Sequence, residues 1–141
     1  MAKLFSQSVE EWVEKAEGRI EAVAREAAQN VAESANLETN KGGKMRVDTG
    51  FLRASMTGAV GRMPSGPSVR PDNAQPRSFK YDASAVELVI NGWSVKNAAL
   101  YIGWTANYAI HREAKDGFLE AAAQRWPYFV EQAVRELASR S

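Results

Sequence analysis

Cysteine is absent from the chain, and histidine occurs once, at position 111. The first absence excludes disulfide frameworks, thiolate zinc sites and cysteine nucleophiles together, and it fits assembly in a reducing cytoplasm. The second leaves any acid–base relay resting on His111 alone. Long apolar runs are missing too: nothing approaches the roughly 20 residues that span a bilayer, so no membrane role is expected. The opening Met1-Ala2-Lys3-Leu4-Phe5-Ser6-Gln7 lacks the apolar stretch of about 7–15 residues that an export signal needs. What remains is ordinary for one soluble domain covering 1–141, with 45% hydrophobic and 25% charged residues. A chain of this size buries roughly two thirds of its unfolded surface without a metal or a crosslink.

Net charge is only +1, but it is unevenly placed. Residues 1–40 carry four basic and eight acidic side chains, 41–80 carry eight and two, and 81–141 carry six and seven. A basic middle between acidic flanks suits identical subunits meeting side by side, or a ring meeting an oppositely charged partner, because long-range fields set encounter and orientation. A solvated basic loop is the plainer reading.

Phe5, Val9, Trp12, Val13, Ala16, Ile20, Val23, Ala24, Ala27 and Val31 follow steps of three and four, which predicts one long amphipathic helix with Glu10, Glu14, Glu17, Glu21 and Arg25 on its polar face. Ser8 and Glu11 have capping-box spacing, so the helix is expected to start near 6–8 and to run to about Ser34. Such a rod is about 40 Å long, more than a domain this small needs for its own core, so part of the stripe is free to face a neighbour. Residues 36–46, with Gly42-Gly43, and 61–78, rich in proline, are expected to be flexible loops. Between them, Asp48 or Thr49 caps a short helical turn and a strand follows over 55–60. Ala85-Val86-Glu87-Leu88-Val89-Ile90 and Ala99-Leu100-Tyr101-Ile102-Gly103-Trp104 read as two strands paired antiparallel, by a tight Asn91-Gly92 turn or a longer connection. Asp116 is the expected N-cap of a final helix carrying Phe118, Leu119, Ala122, Trp126, Phe129 and Val130, with a kink or restart at Pro127. The fold class is therefore α+β: long N-terminal and C-terminal helices on a small antiparallel sheet, with a long exposed loop.

Chemistry is sparse. No Gly-x-Ser-x-Gly elbow accompanies the serines, and Gly58-Ala59-Val60-Gly61 lacks the lysine or third glycine of phosphate-binding loops. His111, Glu113 and Asp116 are a weak metal set on an uncertain turn. We therefore expect no catalytic, cofactor or metal residues and no enzyme. Lys41, Lys44, Arg46, Arg53, Arg62, Arg70, Arg77 and Lys80 provide a basic block that allows passive, sequence-neutral contact with DNA, without a base-reading motif.

Three segments, taken in order, carry a likeness: Val47-Asp48-Thr49-Gly50-Phe51-Leu52-Arg53-Ala54-Ser55-Met56, then Ile102-Gly103 followed by Asn107-Tyr108-Ala109, then Gly117-Phe118-Leu119-Glu120-Ala121-Ala122. Together with the long first helix they resemble the head–tail joining and tail-completion (tail terminator) family of long-tailed phages. The stretch Ile110-His111-Arg112-Glu113-Ala114-Lys115-Asp116 departs from that family's pattern. The resemblance implies a non-enzymatic virion protein, assembled in the host cytoplasm, that forms a homo-oligomeric ring, often a hexamer. Such a ring ends the polymer of the major tail-tube protein and meets the head–tail connector or stopper; stopper, neck or minor tail positions are the alternatives.

Within the motifs, Asp48 and Thr49 are expected to cap, Gly50 to relieve a tight start, and Leu52 with Phe51 to anchor the turn. Tyr108, Phe118 and Leu119 complete the structural set. Arg53 is expected to pair with a carboxylate, within the subunit or across the ring. Trp12, Arg62, Arg70, Arg77, His111 and Arg112 are the candidate interface residues, since ring closure needs two different faces that meet repeatedly. The exposed 61–76 loop suits docking to an adjacent ring.

Overall fold

The computed structural model describes residues 5–64 and 66–140. Among these, helix α1 (Phe5–Ala35) is followed by a short 3-10 turn (Thr39–Lys41), α2 (Phe51–Ala54), strand β1 (Met56–Val60), α3 (Ala83–Asn91), strand β2 (Leu100–Trp104), α4 (Ala109–Asp116), α5 (Phe118–Gln124) and α6 (Trp126–Arg140). The fold is α+β, as the sequence predicts. Because α1 already runs from Phe5, Ser8 lies inside it and does not cap it.

The sheet corrects one expectation. Met56–Val60 pairs antiparallel with Leu100–Trp104, in the register Met56↔Trp104 to Val60↔Leu100. The segment expected to be the middle strand is α3 instead. Its Asp82 accepts hydrogen bonds from the Ser84 backbone N–H at 3.0 Å and the Ser84 hydroxyl at 2.6 Å, an N-cap that starts a helix. Val86 and Ile90, one turn apart, are both buried, while Glu87 and Leu88 face solvent. A six-residue apolar run satisfies either period, and the cap decides for the helix. Helix α3 lies on β1 at Gly58, where an added Cβ would sit 3.4 Å from Val89 Cγ1.

Two clusters make the core. Ala28 and Ala32 of α1, Met56, Val86 and Ile90 form one; Met45, Leu52, Ala106 and Phe118 form the other, and Trp104 packs against both. The ring of Phe118 meets Trp104 edge-on at 5.0 Å. Helix α6 runs along α1, and Pro127 falls one residue after its start, which is the restart the sequence predicts.

Two further expectations change. Residues 36–46 are a built turn: Glu38 bridges Met45, Met45 is fully buried, and a Cβ at Gly43 would strike Leu37 O at 1.8 Å. Asp116, expected to cap the final helix, instead ends α4 (Ala109–Asp116). The N-terminus of α5 is capped by Glu113, whose two carboxylate oxygens accept the N–H groups of Leu119 and Glu120 at 2.9 Å each. The 61–78 segment has no regular element among its described residues, but it is tied down by Ser68 to Thr105 and Asn107, and by Arg77 to Asp48.

Candidate functional site

The Val47–Arg53 motif, Tyr108 and three further arginines converge on one cleft of about 530 Å³. Its floor is set by the backbone. Gly50 holds φ +87, and a Cβ there would meet Phe79 O at 2.2 Å, so only glycine lets the backbone at Phe79 lie against the motif. Thr49 is buried; its carbonyl accepts the Phe79 N–H at 2.9 Å and its hydroxyl accepts the Phe51 N–H at 3.2 Å. Thr49 thus supplies the first turn of α2 from one position before Gly50, while Asp48 does no capping. Its carboxylate is exposed and meets Arg70 at 3.5 Å. Leu52 is buried, as the motif implies.

Arg53 departs from expectation. Its Nε donates to the Asn36 carbonyl at 2.8 Å and its guanidinium lies 5.2 Å over the Tyr81 ring, so within the chain it serves a peptide oxygen and a π face rather than a carboxylate. Asn36, only 1% exposed, returns the contact: its Nδ2 donates to the Arg53 carbonyl at 3.1 Å, and its Oδ1 accepts the Trp104 indole N–H at 2.9 Å. One amide thereby joins the end of α1, α2 and β2. The sequence reading missed Asn36, because a polar residue after a helix looks like any loop residue until its partners are known.

The cleft is cationic. Arg46, Arg53, Arg70 and Arg112 line it against the single carboxylate of Asp48. Behind them the nearly buried Asp116 accepts both Nε (3.1 Å) and Nη2 (2.6 Å) of Arg112, and lies 3.4 Å from Arg46. This carboxylate fixes the two guanidiniums in place. Arg70 sits 5.9 Å from the Tyr108 ring centre, and burial pushes the Tyr108 hydroxyl pKa up despite that neighbouring charge and the hydrogen bonds of Leu52 and Thr49. Such a surface can hold a carboxylate or phosphate.

Of the other candidate interface residues, Arg77 is exposed and bonds the nearly buried Glu38 at 3.0 Å. Burial pushes the Glu38 pKa up, but the hydrogen bond and charge of Arg77, helped by Lys41 and Arg53, outweigh it and hold the carboxyl below its ordinary value. Arg62 lines a separate hollow beside β1, and His111 stands exposed on α4 without lining the cleft. His111, Glu113 and Asp116 go separate ways, and no three metal-ligating side chains cluster among the described residues. Phe118 is core, whereas Leu119 is 39% exposed.

No family model, curated protein or solved structure matches this chain. Of the three sequence motifs, the first and Tyr108 of the second line the cleft, whereas Gly117–Ala122 does not.

Trp12 marks the second surface. From Gln7 to Ile20 every residue of α1 except Ala16 is exposed, Trp12 at 69% and Ile20 at 58%. The ties that clamp α1 to the body near this end are Lys96 to Glu17 at 3.0 Å and the Ser94 hydroxyl to Glu21. Before them the helix projects as an arm with Val9, Trp12 and Val13 in an unpartnered row.

Proposed function

We propose that this chain is a non-enzymatic structural subunit of a phage tail, a tail-completion or terminator protein that works as a ring of copies between the tail tube and the head connector. The observation that carries the reading is the arm. A helix that extends well past its own core while keeping a large apolar stripe is built to be covered by another molecule. The cationic cleft adds a second face of opposite charge to the acidic arm, which is the asymmetry a closed ring of identical subunits requires. The motif resemblance supplies the setting.

The test is the mass of the purified protein by light scattering over a concentration range, alone and with its tail-tube protein. Discrete rings, or a monomer that becomes a ring and stops tube growth, are expected. A second reading, a sequence-neutral DNA-associated protein, draws on the four arginines of the cleft. A monomer that ignores tail tubes but retards DNA in a strongly salt-dependent manner would replace the first reading with this one.

A further inference from the structure

Between α1 and α6 lies an apolar groove of about 630 Å³, walled by Ile20, Val23 and Ala24 on one side and by Trp126, Val130 and Val134 on the other. Its walls are large hydrophobic side chains left open: Ile20 is 58% exposed, Val134 51% and Trp126 40%. The chain cannot fill this groove with its own arm. The arm and one wall are the same continuous helix, so folding back would require breaking α1, and its only interior glycine, Gly18, keeps helical geometry.

We infer that the groove receives the projecting arm of a second copy of this chain. This rests on the ring reading above and names the contact that would build the ring. Three matches argue for this occupant. The first is length. The arm's row ahead of the clamp, Val9 to Ala16, covers seven residue steps, about 10 Å of helix at 1.5 Å per residue, and fits within the α6 row from Trp126 to Leu137, which covers eleven, about 16 Å. The second is chemistry: the arm offers Val9, Trp12 and Val13 at helical spacing, and the groove offers β-branched side chains with one indole, the aliphatic and aromatic complement of a helix-in-groove contact. The third is charge. Ahead of the clamp the arm carries Glu10, Glu11 and Glu14 against Lys15. The receiving side, α6 with Arg125 just before it and Arg19 in the groove wall, carries four guanidiniums against Glu131 and Glu136. Opposite surpluses favour docking of one copy's arm on another's groove over arm against arm.

The absence of cysteine makes a clean test. Val13→Cys in the arm and Val134→Cys in the groove are both at exposed positions, so each variant is expected to fold, which circular dichroism checks. The two are mixed under mild oxidation, one carrying a mass tag, at a concentration where light scattering reports association. The expected product is the tagged–untagged disulfide dimer, in roughly tenfold excess over either like-with-like dimer. Trp12→Ala is expected to weaken association by about 30-fold or more, as for a buried interface tryptophan. The arm–groove link together with ring mass upholds both this contact and the ring reading. The link with a mass that stops at two copies upholds the contact and overturns the ring. A ring that forms without the link, and that survives Trp12→Ala, overturns the contact and leaves the ring standing. A monomer at every concentration, free or with tail tubes, overturns both.

Discussion

The two halves of α1 repeat the same apolar period, yet Ala27, Ala28, Ala32 and Ala35 are buried while Val9, Trp12, Val13 and Ile20 stand exposed. The composition differs in the direction that explains the outcome. Alanine lets α3, α5 and α6 approach the second half closely, so little side-chain volume completes the core there. The first half, exposed from Gln7 to Ile20 except at Ala16, carries valine, isoleucine and tryptophan, residues that repay burial with large contact area. A stripe of helical period therefore says which face is apolar, and residue size along it separates the part packed by the chain itself from the part offered outward.

The comparison can be broken most severely at the closed end of α1. Asn36→Ala would leave the Trp104 indole N–H and the Arg53 carbonyl without partners in a buried site. A loss of about 4 kcal/mol is expected, at 1–3 kcal/mol for each stranded group, read as a melting temperature lower by roughly 10 °C. Gly50→Ala should come next, at about 3 kcal/mol, since it combines the cost of a positive φ with a clash against a backbone oxygen. Denaturant titration would show it as a lower midpoint with an unchanged slope.

Glu113→Ala removes the acceptor for two N–H groups at the start of α5 and should cost about 1 kcal/mol, while Glu113→Gln retains part of it. The pH dependence should be smaller still and confined to the acid side. Because the folded Glu38 carboxyl titrates below its ordinary 4.5, its pairing with Arg77 stabilises the protein above that value and is lost as pH falls through the lower folded value. Arg77→Ala should therefore flatten the melting-temperature profile below pH 4.5. At the other end of α1, Trp12→Ala should change the stability of the dilute subunit by less than about 0.5 kcal/mol, although it disables self-association. A large loss of subunit stability there would mean that the arm packs on its own body, and the contrast between the two halves would be gone.

Much of this contrast was legible in advance, and the reasons are local. The length of α1 and its excess over the core's needs follow from spacing alone, and Pro127 restarts the last helix wherever it falls. Gly50 could be read as a position with special backbone demands. Other features were not legible. Val86 to Ile90 passes for a strand because a short apolar run fits both periods, and only the Asp82 cap resolves it. Asp116 looked like a cap and proved to be the buried anchor of Arg112 and Arg46. Within the chain Arg53 serves the Asn36 carbonyl and not a carboxylate.

By itself, then, the sequence determined the helical stripe, the prolyl restart, the strand over 56–60 and the cysteine-free, cationic middle, because each is encoded within a few neighbouring residues. The tertiary structure alone decided which polar groups meet. Asn36 finds Arg53 across 17 positions and Trp104 across 68, and no local pattern announces such partners. It also decided which half of α1 is covered, since burial depends on where α3, α5 and α6 come to rest, not on the stripe that awaits them.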